Sequence, residues 1–578
     1  MHTIPITVSL YAFLATTFLF SCSAYVAQAP LSDDKCTETT VAILGGGMAG
    51  IAAAQALSNA SIDDFIILEY RHTLGGRVWH TDFGKDKQGK PYVIELGANW
   101  LQGLGSEAIE NPVWALAKKY NLKNTYSNYS SIRTYNETGY TDYRFLLDDY
   151  AQAYHIAARN AGRILTQNLQ DQTARTGLAL AGWRPRKNDM AAQAVEWWSW
   201  DWEDAHTPET SSLVFGIAGE NLTFNQFGKA NHLVLDPRGY STIIENEALT
   251  FLANPSDSRL RLDTRVTRIE YSPRGVTIHT KDNKNSNTCI RAAYAICTFS
   301  LGVLQNKAVT FDPPLPSWKQ TAIEKFNMGT YTKIFMQFPE TFWPTDTQFF
   351  LYASPTTRGY YPVFQSLSTE NFLPDSNILF ATVVDEQAYR VERQSLTQTK
   401  DQILDVLREM FPDKDIPEPT AFTYPRWTNE PWVYGSYSNW PAGTTLEMHQ
   451  NLRANTERLW FAGEATSAPY FGFLHGAWYE GREAGDNVAA LLQGRCAEDV
   501  TRTAGTSSTN GEEEEEVCGE RVFYEQLNGT TPLDAYSRLN GWPAPNYLQI
   551  HINWPAGPMV SLCGVTCVQL WYHPDYVK

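Results

Sequence analysis

The stretch from Thr39 to Arg77 constrains the fold more than any other part of the chain. The apolar run Val41-Ala42-Ile43-Leu44 reads as a buried strand, and Gly45-x-Gly47-x-x-Gly50 follows it directly. An Ala/Leu-rich segment from Ala49 to Leu57 suits a helix. A second apolar strand, Phe65 to Leu68, ends in Glu69, which lies 19 residues beyond Gly50. Each part has a task in holding a dinucleotide. Gly45 permits a tight turn, Gly47 lets backbone approach a pyrophosphate, and Gly50 lets helix and strand pack closely. The helix N-terminus offers free N–H groups and a partial positive charge to phosphates. A carboxylate at Glu69 accepts hydrogen bonds from a ribose 2′-OH, which favours an unphosphorylated ribose, hence FAD or NAD rather than NADP.

At 578 residues the chain is long enough for about two domains with extensions. Its net charge of −17 argues against nucleic acid as a partner and suits a cationic ligand. Residues 1–29 read as a secretory signal, with an apolar stretch from Ile6 to Phe20 and cleavage positions near Ala24 or Ala29. The start carries His2 but no Lys or Arg, so a retained membrane anchor is the other reading. No further segment is long and apolar enough to span a bilayer. Five Asn-x-Ser/Thr sequons, at Asn59, Asn128, Asn136, Asn221 and Asn528, agree with a secreted glycoprotein. Cys22 leaves with the signal; Cys36, Cys289, Cys297, Cys496, Cys518, Cys563 and Cys567 remain. Cys496–Cys518 and Cys563–Cys567 are candidate disulfides, but pairing does not follow from spacing. No Cys/His spacing resembles a zinc site, and no metal is expected.

Further along, Tyr92 to Leu96 reads as a strand, and Leu146 to Leu165 as helical within a Trp- and Tyr-rich insertion. Arg259 to Ser300 alternates like a small antiparallel sheet. Tyr331 to Phe338 and Ile378 to Val384 read as strands, and Leu396 to Met410 as an amphipathic helix. Leu459-Trp460-Phe461 leads through Ala462-Gly463 into Glu464, another strand ending in an acid. It is followed by Gly472, Gly476 and a helix from Ala477 to Leu492 that is expected to pack beside the first. The dinucleotide domain is therefore expected to be discontinuous. Thr501 to Gly511 and the acidic run Glu512 to Glu516 read as a disordered linker. Asn553-Trp-Pro-Ala-Gly557 repeats Asn439-Trp-Pro-Ala-Gly443, which implies no more than shared turn chemistry.

A nucleotide fold does not name a reaction. Two grips far apart in sequence, Gly75-Gly76-Arg77 and Glu464, suit a long, permanently held cofactor such as FAD better than an exchangeable NAD. The ordered set Glu69…Gly75-Gly-Arg77, Glu95-Leu-Gly-Ala-Asn-Trp100, Leu301-Gly-Val-Leu-Gln305, Tyr331-Thr-Lys-Ile-Phe335, Arg358-Gly-Tyr-Tyr361, Tyr437 to Gly443, Phe461 to Ser467 and Phe471 to Ala477 resembles the flavin amine oxidases. Within them the chain is similar to the secreted plant type of polyamine oxidase. The resemblance covers roughly residues 38–495.

The resemblance implies a GR2-type, Rossmann-like α/β domain that binds FAD, joined to an α+β substrate domain of mixed sheet and helices. The expected division is a signal at 1–29, FAD-binding parts at 38–110, 231–300 and 425–495, substrate-domain parts at 111–230 and 301–424, and a linker with extension at 496–578. It implies oxidation of an amine to an imine by hydride transfer to flavin N5, hydrolysis of the imine, and return of the electrons to O₂ as H₂O₂. Lys333 matches the family lysine that holds a water near N5. On the residues alone, a lysine beside Ile334, Phe335 and Met336 is desolvated, which lowers its pKa. Tyr437 and Phe473 match the aromatic pair that sandwiches the amine, although Phe473 lacks a hydroxyl that relatives carry. Tyr331 lines the same pocket. Glu203 matches a tunnel carboxylate. Gln102 departs from the family pattern, in which a plant-type Glu or an animal-type His stands there, and an amide suits an acetylated polyamine or a monoamine. The implied FAD contacts are Gly45, Gly47, Ala49, Gly50, Glu69, Arg77, Asn99, Trp100, Val266, Trp427, Glu464, Phe473 and Leu474. No cysteine lies between Cys297 and Cys496, so a thioether to the flavin has no donor and FAD is expected to be non-covalent. The remaining readings are a monoamine or L-amino-acid oxidase, and a flavin-binding secreted glycoprotein that has lost catalysis. A monomer is expected.

Overall fold

The computed structural model describes residues 36–105, 109–166, 169–224, 226–495 and 521–527. The signal segment, the acidic linker, Asn528, the Asn553 repeat and the two candidate disulfides after Cys297 lie outside the described residues.

Two large sheets organise the chain. The first is built on strand β1 (Thr37–Leu44), helix α1 (Met48–Asn59) and strand β2 (Phe65–Leu68). Val41 to Leu44 are fully buried, as the unbroken apolar run requires for a strand covered on both faces. β1 pairs in parallel with β2 on one side and with Asn287–Cys297 on the other. Leu459–Phe461 pairs in parallel with Asn287–Cys297, so the last third of the chain returns to the sheet its first strands founded. The expected small antiparallel sheet between Arg259 and Ser300 is not separate. Its strands Thr264–Ser272 and Gly275–Asp282 pair antiparallel, and Asn287–Cys297 joins them to β1. The same register sets Thr37 opposite Ile290, which brings Cys36 beside Cys289, and these two form a disulfide with Cα atoms 4.6 Å apart.

Helix Leu474–Leu492 lies against α1. A Cβ on Gly481 would stand 2.2 Å from the Ala49 carbonyl oxygen, so glycine is what lets these two helices approach so closely. The second sheet runs in the order Ala421–Thr423, Tyr331–Gln337, Ile378–Val384, Val363–Ser366, Phe349–Ala353, Ile132–Asn136, Gly139–Tyr140. Its central strands are buried throughout, and Leu396–Met410 covers one face with Ile403, Leu404, Leu407 and Met410. Ser395 caps that helix by accepting from Gln398 N at 3.1 Å. The region between residues 145 and 224 is helical. Within it, Met190–Glu196 continues through a π-helical turn, Trp197–Asp201, into Trp202–Asp204, and Ala205 ends the run at φ 54°. Such a turn rotates the residues that follow it. The half-buried Arg358 bridges Asp201 and Glu196 and fixes that rotation. No helix among the described residues is long and apolar enough to cross a membrane.

Candidate active site

The turn from β1 into α1 makes one end of a long cavity. Gly45 sits at φ 120°, and a Cβ on Gly50 would come within 1.9 Å of the Gly45 carbonyl oxygen. Gly47 caps α1 with no side chain, so no side chain satisfies the first-turn amides, and Gly47, Met48 and Ala49 line the cavity. Unpaired helix-start donors of this kind suit a phosphate. Glu69 is buried at the end of β2, where it accepts from Gly46 N at 2.7 Å and Arg71 N at 2.9 Å. Burial pushes its carboxyl pKa up. Thr264 N donates to the Glu69 carbonyl, which sets Val266 at the same end. The cavity then passes Arg77 and Glu464. Arg77 Nη1 donates to Glu464 Oε1 at 2.6 Å, while Glu464 Oε2 accepts from Ser438 Oγ at 2.6 Å and Gly472 N at 2.8 Å. Asn99, Trp100, Trp427 and Leu474 continue the wall.

The far end is aromatic and acidic. Tyr331 and Tyr437 stand with ring centroids 6.0 Å apart, and the Tyr437 hydroxyl donates to the Glu203 carbonyl at 2.7 Å. A Cβ on Gly472 would lie 3.3 Å from the Tyr437 ring, which places Phe473 beside it, and Phe473 stacks on His475. Gln102 Nε2 donates to Glu203 Oε1 at 3.0 Å. Burial, with Glu220 nearby, pushes Glu203 up to about 8. Asp204 and Glu220 line the same space, and burial pushes both up as well.

All the residues expected at the site line this one cavity except two. Gly50 lies beneath the turn, where close packing needs it. Lys333 is 1% exposed and stands behind the wall: its Nζ donates to the Gly97 carbonyl at 2.8 Å and sits 5.5 Å from the Trp100 ring centroid. Burial pushes its pKa down, and the buried Glu95 opposes that shift. Asp204 and Glu220 are additions to the expected set. A signal for Glu220 was present, the one charged residue in the largely apolar helix Leu213–Phe224, whereas Asp204 reads like any acid beside Glu203. Among the described residues, no cysteine lines the cavity.

The cradle fits an extended dinucleotide cofactor: unpaired amides for phosphates at α1, a buried acid for a ribose at Glu69, and a Trp427 wall. A sequence profile described as flavin containing amine oxidoreductase matches residues 48–489. Polyamine oxidase 7 of Oryza sativa subsp. japonica is 37% identical over 458 residues, covering 76% of this chain and 93% of the relative. Polyamine oxidase 1 of Zea mays is 36% identical over 478 residues, covering 78% and 91%. A solved structure of putrescine oxidase, reported bound to putrescine, shares the fold with a TM-score of 0.61 at 17% identity, covering 80% of this chain and all of its own. The cradle, the motifs and these likenesses agree: the chain is an FAD-dependent amine oxidase, a member of the flavin-containing amine oxidoreductases and, within them, of the polyamine oxidase family.

Proposed function

We propose that the enzyme oxidises polyamines, spermine, spermidine or their acetylated forms, to an imine that water splits into aldehyde and amine, with O₂ reduced to H₂O₂. The observation that carries this is the placing of the Glu203 carboxylate and the Tyr331, Tyr437 and Phe473 rings in the same cavity as the cofactor cradle. Bound flavin would supply the two-electron acceptor that takes hydride from the carbon beside nitrogen and passes the electron pair to O₂. The chain's own residues do the rest. Tyr437, held by the Glu203 carbonyl, and Phe473 present flat faces that orient an amine by shape and cation–π attraction. The amine must be neutral to release hydride, and the uncharged faces of Tyr437 and Phe473 accept it in that form. Lys333 has one of its three donors on Gly97; the others can hold a water between it and the cavity. FAD is held without a covalent thioether, a reading that the lack of a cysteine between Cys297 and Cys496 supports. The Cys36–Cys289 disulfide and the exposed Asn59 support an extracellular, glycosylated protein.

An L-amino-acid oxidase needs an arginine facing the reacting end to pair with a carboxylate. The lining arginines are Arg77, which is engaged by Glu464, and Arg265, which adjoins Val266 at the Glu69 end. Neither serves that purpose. The test is an amine panel with peroxide detection and mass spectrometry of products. Turnover of spermidine or spermine to an aldehyde and an amine supports the reading; turnover confined to monoamines or L-amino acids overturns it.

A further inference from the structure

Gln102 removes one ionisable group from the neighbourhood of Glu203, yet two further carboxylates, Asp204 and Glu220, line the same cavity. Asp204 follows Glu203 on the turn after the π-helical segment. The main chain there is clamped, with Tyr437 Oη donating to the Glu203 carbonyl at 2.7 Å and Asn439 Nδ2 to the Asp204 carbonyl at 3.1 Å. These bonds fix the main chain that carries Glu203 and Asp204. No donor among the described residues reaches the Asp204 carboxylate; its neighbours are the like charges of Glu220, Glu203 and Asp201. Glu220 is bonded by the Tyr154 hydroxyl and faces Lys229. A desolvated carboxylate facing a cavity with no protein donor is unfavourable unless something else supplies the positive charge.

Helix Leu213–Phe224 sets the distances. A Cβ on Gly216 would lie 3.8 Å from Asp204 Oδ1, which marks the Asp204 level. Glu220 is one turn further on, and Phe224 another turn, where its ring centroid is 6.0 Å from that of Phe473. One helical turn is about 5.4 Å. Glu220 thus stands about one turn along the helix from the Asp204 level, both carboxylates line the cavity that holds Tyr437 and Phe473, and a spacer of three or four methylenes bridges about one turn.

We propose that Asp204 and Glu220 are the specificity-determining residues of the cavity. With the reacting nitrogen at Tyr437 and Phe473, the next ammonium of the substrate, one three- or four-carbon spacer away, is bound between these two carboxylates. This rests on the polyamine reading above and deepens it: the substrate is recognised by its unreacted ammonium, and an acyl group on that nitrogen removes the recognised charge.

The experiment compares kcat/KM for spermidine with that for N-butylpropylamine, a monoamine with similar carbon chains, in wild type, Asp204→Asn, Glu220→Gln and Glu220→Asp. Flavin absorbance verifies that each variant is loaded. In Asp204→Asn and Glu220→Gln the spermidine-to-monoamine ratio falls about tenfold or more, as expected on truncating one partner of a buried charge pair. Glu220→Asp, which keeps the charge, retains more of the ratio than Glu220→Gln; because the comparison is between two folded variants at one position, it stands even where Asp204→Asn does not fold. Wild type that prefers spermidine, with a ratio unmoved in the variants, overturns this assignment alone. Wild type that prefers the monoamine overturns both it and the polyamine reading.

Discussion

The Gln102 side-chain amide donates to the Glu203 carboxylate at 3.0 Å, joining strand Trp100–Gln102 to the turn Trp202–Asp204 across the mouth of the aromatic end. Two acids at this spacing would share one proton; an amide and an acid do not. The bond offsets a little of the burial that drives the Glu203 pKa upward, and it fixes which Glu203 oxygen remains for a ligand.

Glu203→Gln keeps the shape and removes the charge. KM for spermidine should rise about tenfold or more, well beyond the rise for a monoamine, because a desolvated charge partner is lost. Steady-state kinetics on both substrates decide this, and equal changes would take Glu203 out of ammonium recognition. Stability carries a second signature. Glu203 titrates near 8 in the fold against 4.5 for a free side chain. Between those values the unfolded chain has released a proton that the folded chain keeps, so stability falls as pH rises through that window. Melting temperatures measured at about pH 5 and about pH 9 should diverge less in Glu203→Gln than in wild type.

Lys333→Met should leave FAD bound, since Lys333 does not line the cavity, while slowing flavin reduction or reoxidation by about two to four orders of magnitude, the range of a lost general acid–base contact. Stopped-flow traces of both half-reactions give the answer; wild-type rates in each would remove Lys333 from the mechanism. Its linkage has the opposite sign to that of Glu203. Burial holds the Lys333 pKa down, so the unfolded chain binds the extra proton and stability contributed at this site rises with pH between the lowered value and the ordinary lysine value.

The FAD-binding half was legible because its chemistry is local. Gly45 to Glu69 fixes strand, turn, helix and acid within one short stretch, and the spacing leaves few other folds. The aromatic end was legible only through short motifs around Lys333, Tyr437 and Phe473, each meaningless alone. Asp204 and Glu220 were missed for a physical reason: whether an acid on a helix faces water or a cavity depends on the rotation of that helix. Here the rotation is set by the Trp197–Asp201 turn and by Arg358, far along the chain. Cys36 and Cys289, 253 residues apart, could not be paired because strand register rather than spacing brings them together.

Glu392 is a positioning residue for the cofactor wall. Its carboxylate accepts from Trp427 N at 3.1 Å, Thr428 N at 2.9 Å and Thr332 Oγ1 at 2.9 Å, tying the Trp427 segment to the strand that carries Lys333. Glu392→Ala leaves these buried donors without an acceptor, which costs about 3 kcal/mol. The variant should melt earlier and lose flavin faster on dilution. Glu392→Gln, which retains an acceptor oxygen, should recover part of the flavin affinity. If retention is lost equally in both, the residue acts through its charge and not through these bonds.

Gly481 tests whether the two halves of the cofactor domain depend on close helix contact. A methyl at this position would stand 2.2 Å from the Ala49 carbonyl oxygen and 2.7 Å from its Cα, both backbone atoms that no side-chain rotation can clear. Helix Leu474–Leu492 must then move away from α1, at about 1–3 kcal/mol for an overpacked contact. That movement pulls on two cavity walls at once, because Ala49 lines the phosphate end and Leu474 the aromatic end. Gly481→Ala should therefore weaken FAD binding more than it lowers the melting temperature of the protein freed of flavin. Flavin-to-protein ratios after gel filtration, set beside apoprotein melts, separate the two effects. An undiminished ratio with a lowered apoprotein melting temperature would show that the helix pair supports the fold without shaping the cradle.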